Sequence, residues 1–171
     1  RSRMITNDIG NLAFRFIGLI VVQVLILNNL IVFGQYIPFI PVLLLFWFPM
    51  YIPKSIMMVV AFFLGLIIDV FTDTVAFHAF SLSTIAYLRP SILKFCFGNN
   101  IEFQNNHFQG TSRAQRLTFL FILLSLEAFL FFVLEIFNFN HILLIFNKTV
   151  LTTFLSFGVS LIVISIIPRN I

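Results

Sequence analysis

Charge is what this sequence has least of. Only 9% of its 171 residues are Asp, Glu, Lys or Arg, against roughly a quarter in an ordinary globular domain, while 60% are hydrophobic. A single water-soluble core cannot hide that much apolar surface, because small folded proteins leave a large share of theirs exposed. The surplus must face lipid. Cysteine is nearly missing: Cys96 stands alone, which excludes an internal disulfide framework and a Cys-based metal cage and leaves packing as its role. The chain also lacks a phosphate-cradling glycine loop, an HExxH helix, a GxSxG elbow and the Ser/Lys constellation of membrane proteases. No catalytic set, cofactor or metal is therefore expected. Its ten basic residues form no run or stripe suited to nucleic acid; they stand singly at the ends of apolar segments.

With about 20 apolar residues per crossing as the ruler, spans are predicted over 12–32, 36–52, 55–71, 75–97, 117–137 and 142–167. The expectation is an all-α integral membrane protein of about six transmembrane helices, forming one domain over 1–171. The second span is the weakest, because Pro38, Pro41, Pro49 and Pro53 punctuate a stretch that reaches only about 25 Å as a helix. It is expected to be kinked or partly re-entrant. Connections as short as Thr72-Asp73-Thr74 force antiparallel hairpins. Only 98–116 is a substantial polar loop, carrying Asn99, Asn100, Glu102, Gln104, Asn105, Asn106, His107, Arg113 and Arg116. The first apolar run leads into further spans without a small-residue cleavage pattern, which predicts a retained helix. Met4 is a candidate start, with Arg1 to Arg3 upstream of it.

Placing the amino terminus in the cytoplasm puts Arg1, Arg3, Lys54, Lys94, Arg113, Arg116 and Arg169 on the inner side, with Arg15 and Arg89 close to it. Lys148 alone lies toward the outside. This imbalance is the positive-inside signal and predicts a multi-pass protein of the bacterial inner membrane with both termini and the 98–116 loop cytoplasmic.

The most informative stretch runs from Gly65 to Ala79. Asp69 falls in the last turn of one helix and His78 in the first turn of the next, so a tight hairpin brings a carboxylate and an imidazole to similar depth. Ionisable groups within membrane spans are candidate functional sites, but the middle of these helices offers no chain of groups for a relay. The stronger reading is a pair that fastens the hairpin. Asp73 or Thr74 can cap the following helix. Ala61 and Gly65 form a small-xxx-small pair, and Thr152, Ser156 and Ser160 repeat every four residues. Both patterns mark close helix contacts, internal or with a partner. Glu127 near the middle of the fifth span must be paired or neutral, with Gln23 or Asn28 as its candidates, while Glu135 can meet Lys148. Arg89-Pro90 is expected to kink the fourth helix and anchor it at headgroup level. The 25 phenylalanines follow no cofactor-like spacing and read as lipid-facing and interhelical filler.

Several of these stretches resemble the bacterial rod shape-determining protein MreD family in its Bacteroidetes-like form. They are Gln23 with Leu25-Ile26-Leu27-Asn28-Asn29, then Tyr36-Ile37-Pro38, Phe63-Leu64-Gly65-Leu66-Ile67-Ile68-Asp69-Val70-Phe71, His78-Ala79, Ala86-Tyr87-Leu88-Arg89-Pro90 and Leu134-Glu135-Ile136-Phe137. The order Gly-Leu-x-x-Asp, His-Ala, Ala-Tyr-Leu-Arg-Pro is the specific part; the rest is generic membrane sequence. Phe77 stands where the family commonly has glycine, and Glu127 where it often has histidine. The resemblance implies a non-enzymatic subunit of the cell-elongation machinery that binds an MreC-like single-span protein and helps couple MreB filaments, indirectly, to peptidoglycan synthases. It also implies a fold similar to the six-helix substrate-binding subunit of vitamin transporters.

Two functions compete on these residues. A membrane scaffold suits the short loops, the small-residue faces and the missing catalytic set. A substrate-capture subunit of a membrane transporter would use Asp69, His78 and Glu127. A lipid-modifying enzyme is the least expected. A transporter predicts a closed polar cavity around those three residues; a scaffold predicts an interior that is apolar, lipid-filled or lacking a cavity.

Overall fold

A computed structural model describes residues 10, 14–27, 37–49, 52–98, 112–137 and 142–166, and all of the regular structure among them is helical. Six helices follow in chain order: α1 (Phe14–Ile26), whose last turn is π-helical over Val22–Ile26, α2 (Val42–Trp47), α3 (Lys54–Thr72), α4 (Phe77–Phe97), α5 (Arg113–Ile136) and α6 (Ile142–Ile166). Among the described residues three of them, α3, α5 and α6, are long and apolar enough to cross a membrane. Asn28 and most of the 98–116 loop lie outside the described residues.

The ends of these helices follow from local chemistry. α3 starts directly after Pro53, a residue whose fixed φ suits a helix entrance. α5 begins earlier than its hydropathy predicts because Ser112 and Gln115 form a capping box. The Ser112 hydroxyl accepts from the Gln115 N–H at 3.2 Å and the Gln115 amide oxygen accepts from the Ser112 N–H at 3.0 Å. Arg113 and Arg116 are therefore helical and not loop residues.

Consecutive long helices pack as antiparallel neighbours, α3 on α4, α4 on α5 and α5 on α6. The segment 37–49, within the span expected to be kinked or partly re-entrant, is broken. It contains only the six-residue α2, about 9 Å long, flanked by non-helical backbone at 37–41 and 48–49. Prolines at 38, 41 and 49 withhold the N–H groups that a continuous helix needs. The segment runs through the interior: Ile40, Val42, Leu43, Leu44 and Leu45 are wholly buried, with Phe46 and Phe48 nearly so. Phe39 packs on His78 at the start of α4, and the Phe48 carbonyl meets Arg89 three turns further along it. Segment 37–49 thus runs parallel to α4 and is touched by every other helix.

The exterior is apolar. Phe14, Ile17, Val70, Phe71, Phe80, Phe95, Phe154, Ile162 and Ile166 are all more than half exposed. α6 is inside out: Thr149, Thr152, Thr153, Ser156 and Ser160 are buried while Leu143, Phe146, Phe154 and Ile162 face outward, the arrangement that lipid as solvent demands. Charge is polarised along the bundle. Among the described residues Arg15, Lys54, Arg89, Lys94, Arg113 and Arg116 cluster toward the end where α3 and α5 begin, and Asp69, Asp73, Glu135 and Lys148 toward the other.

Candidate functional site: a polar band across the helix bundle

The α3–α4 hairpin sets the site. Gly65 has no Cβ, and one built there would lie 2.5 Å from the Ala79 Cα and N and 2.6 Å from the His78 carbonyl carbon. The two backbones therefore touch, and the small-residue face is spent inside the chain; Ala61, on the same face, is wholly buried. One turn beyond Gly65, the Asp69 carboxylate accepts the His78 N–H at 3.0 Å and the Ala79 N–H at 2.9 Å, and the Thr74 hydroxyl donates to it as well. Asp69 thus caps α4 from the neighbouring helix, satisfying free N–H groups and meeting the positive end of the helix dipole. Asp73 and Thr74 do not cap α4. Asp73 is the left-handed cap of α3 (φ 54°), and Ala76 (φ 58°) precedes α4 with no side-chain cap of its own.

The expected Asp69–His78 side-chain pair is not formed. With both carboxylate oxygens engaged by backbone, the imidazole turns inward, against Phe39 (ring centroids 4.8 Å, planes at 88°) and Phe131 (4.5 Å). Its Nδ1 lies 3.8 Å from Glu127 Oε1, within ion-pair range but beyond hydrogen-bond range, and both side chains are buried. Glu127 therefore faces His78 and not Gln23, one of the two partners expected for it; the other, Asn28, lies outside the described residues. Gln23 serves the broken segment instead. Its amide oxygen accepts the Ile40 N–H at 3.1 Å and its Nε2 donates to the Pro38 carbonyl at 3.3 Å.

Ser156 and Arg89 complete that service. The Ser156 hydroxyl accepts the Phe39 N–H at 2.7 Å, so the α6 stripe also faces inward. Arg89 is 3% exposed, donates to the Phe48 carbonyl at 2.6 Å and lies over the Phe119 ring at 6.0 Å. Its side chain is turned into the bundle: non-helical backbone inside a membrane protein must find partners in protein, and Arg89 supplies one. Glu135 does pair with Lys148, at 3.6 Å and partly exposed.

All six segments thus place polar groups in one band: Gln23 of α1, the opened backbone of 38–40, Asp69 of α3, His78 of α4, Glu127 of α5 and the hydroxyls of α6. The α5–α6 register is fixed by Glu135–Lys148 on one side and the Phe121 contacts with Phe154 and Phe157 on the other. Interpolation between these ties sets Glu127 opposite Thr152 and Thr153. Sequence reasoning missed the roles of Gln23 and Arg89; the four prolines that break the second span were the available signal, since each opened carbonyl or N–H needs a side chain to meet it. Among the described residues no group of three His, Cys, Asp or Glu is arranged to hold a metal ion. Comparison with known proteins found no matching family model, no matching curated protein and no matching solved structure.

Proposed function

We propose that this chain is a non-enzymatic scaffold subunit of the bacterial cell-elongation machinery, of the kind its resemblance to the rod shape-determining protein MreD family implies. In this reading it associates laterally with an MreC-like single-span protein and with peptidoglycan synthases, and reaches MreB filaments only indirectly. The observation that carries the reading is the buried apolar segment 37–49, whose Val42, Leu43, Leu44 and Leu45 occupy the interior that a transporter would keep as a solute cavity. What remains for function is the outer surface, in contact with lipid and membrane partners. Since Gly65 and Ser156 are spent within the chain, the partner surface lies on other, outward-facing residues.

In the same reading the chain passes six times through the bacterial inner membrane, the broken segment being one pass, with both termini cytoplasmic; the basic cluster at one end of the bundle supports this orientation. Cysteines placed at Ser112 and Phe137 in a Cys96→Ser background test it: an impermeant thiol reagent outside intact cells should label the second and not the first. The reverse pattern would sink the orientation. Affinity capture of the whole chain from membranes should bring down elongation proteins, an MreC-like protein first. The competing substrate-capture reading draws on the buried polar atoms of Glu127 and α6. It takes over if no elongation protein is captured and the purified chain binds a small solute in a way that depends on Glu127.

A further inference from the structure

Among the described residues two sets of helix hydroxyls contrast. On α3, α4 and α5, those of Thr72, Ser81, Ser83, Thr84 and Ser125 donate back to the carbonyl one turn earlier, at 2.7 to 2.9 Å. This is the ordinary way to satisfy a hydroxyl in a membrane helix. On α6, Thr149, Thr152, Thr153 and Ser160 are at least nine-tenths buried, yet none has a hydrogen-bond partner. Nor has either carboxyl oxygen of Glu127, or Nδ1 of His78. In the α5–α6 register Glu127 falls opposite Thr152 and Thr153.

A carboxylate in such a place needs a unit of positive charge. The charged groups on the elements packed around it do not supply one. Asp69 of α3 is an anion spent on backbone N–H groups. Arg89 of α4 lies three turns away on the Phe48 carbonyl. Lys148 of α6 is committed to Glu135 and to the face of Phe132 at 5.4 Å. Segment 37–49 carries no charged residue, and Gln23 of α1 is neutral. Among the described residues His78 is the one basic group that faces Glu127, at a distance too long for a hydrogen bond.

We propose that Glu127, His78 and the threonine hydroxyls of α6 form a buried site for one monovalent cation, either a sodium ion held by carboxylate and hydroxyl oxygens or a proton shared by the carboxyl–imidazole pair. Hard cations take oxygen ligands of this kind, and each hydroxyl oxygen has two lone pairs to offer one. Occupancy joins α4, α5 and α6 at the level where segment 37–49 is broken. The site is independent of which partners the outer surface binds.

A ligand that binds the native state alone raises its stability with the logarithm of ligand concentration. Thermal unfolding of the full chain in detergent is therefore followed in sodium chloride against N-methyl-D-glucamine chloride at equal ionic strength, and separately from pH 5 to pH 8, for wild type and Glu127→Gln. With sodium as ligand, the wild-type midpoint keeps rising with the logarithm of sodium concentration, by roughly 5 to 10 °C at a hundredfold excess over Kd, and Glu127→Gln does not respond. With the proton as ligand, sodium has no effect, but the wild type gains over Glu127→Gln as pH falls. Should Glu127→Gln fail to fold, Glu127→Asp keeps the charge and should raise the half-saturating concentration of the responding ligand about tenfold. Indifference of the wild type to sodium, with wild-type and variant pH curves that run parallel, overturns the proposal. So does a sodium response that the variants keep in full.

Discussion

The two hairpins of this bundle are closed by different means. In α3–α4 the backbones touch: Gly65 admits the first turn of α4, and Asp69 caps it with two hydrogen bonds to main-chain N–H groups. In α5–α6 the side chains do the work, through Phe121 against Phe154 and Phe157 at 5.8 and 5.6 Å and through the partly exposed Glu135–Lys148 pair. Backbone contact fixes a position to a fraction of an ångström and tolerates no added atom. Phenylalanine contacts can slide and repack, as volume-conserving changes in cores generally allow. The α3–α4 hairpin is thus the rigid reference against which the polar band is aligned.

The sharpest way to break this comparison is to add one carbon to each hairpin. Gly65→Ala should cost about 3 kcal/mol, because its Cβ meets the Ala79 backbone, and should lower the thermal midpoint in detergent markedly. Gly158→Ala on α6 finds nothing within 4 Å and should be neutral or stabilising by up to about 1 kcal/mol, the helix-propensity gain. Equal losses at the two sites would end the distinction.

Next in size is the cap. Asp69→Ala removes three hydrogen bonds to a carboxylate, two of them from main-chain N–H groups, and should cost about 2 kcal/mol. Because the carboxylate holds the backbone of His78 and not its ring, Asp69→Ala and His78→Ala should combine almost additively, with a coupling below about 0.5 kcal/mol in a double-mutant cycle. A coupling as large as either single loss would restore the side-chain pair. The smallest effect is expected at the side-chain hairpin: Glu135→Gln and Lys148→Met, alone or together, should each change stability by less than about 1 kcal/mol, and high salt should erase even that.

The long helices were legible in the sequence. Predicted limits of 55–71, 75–97 and 142–167 lie within two residues of Lys54–Thr72, Phe77–Phe97 and Ile142–Ile166, because apolar run length is the whole of the signal in lipid. The second span was legible only as trouble. Four prolines announce a break, but they do not say that the broken piece lies at the centre of the bundle. The site was half legible. Asp69 and His78 were singled out and do meet, yet a carboxylate near a helix start has backbone donors within reach, and these won over the imidazole. The Glu127–His78 approach joins residues 49 positions apart in sequence, and no periodicity within one helix reports the register between two. Arg89 was read by the habit of long basic side chains to reach for the interface. An unpaired carbonyl inside the bundle gave it a nearer partner.

The bond from the Phe39 N–H to the Ser156 hydroxyl spans 117 positions of sequence, and this imposes an order on biogenesis. Segment 37–49 leaves the ribosome long before α6, so its opened backbone must wait for the last helix before that donor is satisfied. Until then the segment is an incomplete passenger, packed against α1, α3, α4 and α5 with that one donor unmet, or sheltered by the insertion machinery. The final helix therefore acts as the closing latch of assembly, and a chain halted before it would carry a membrane-embedded polar group for quality control to recognise.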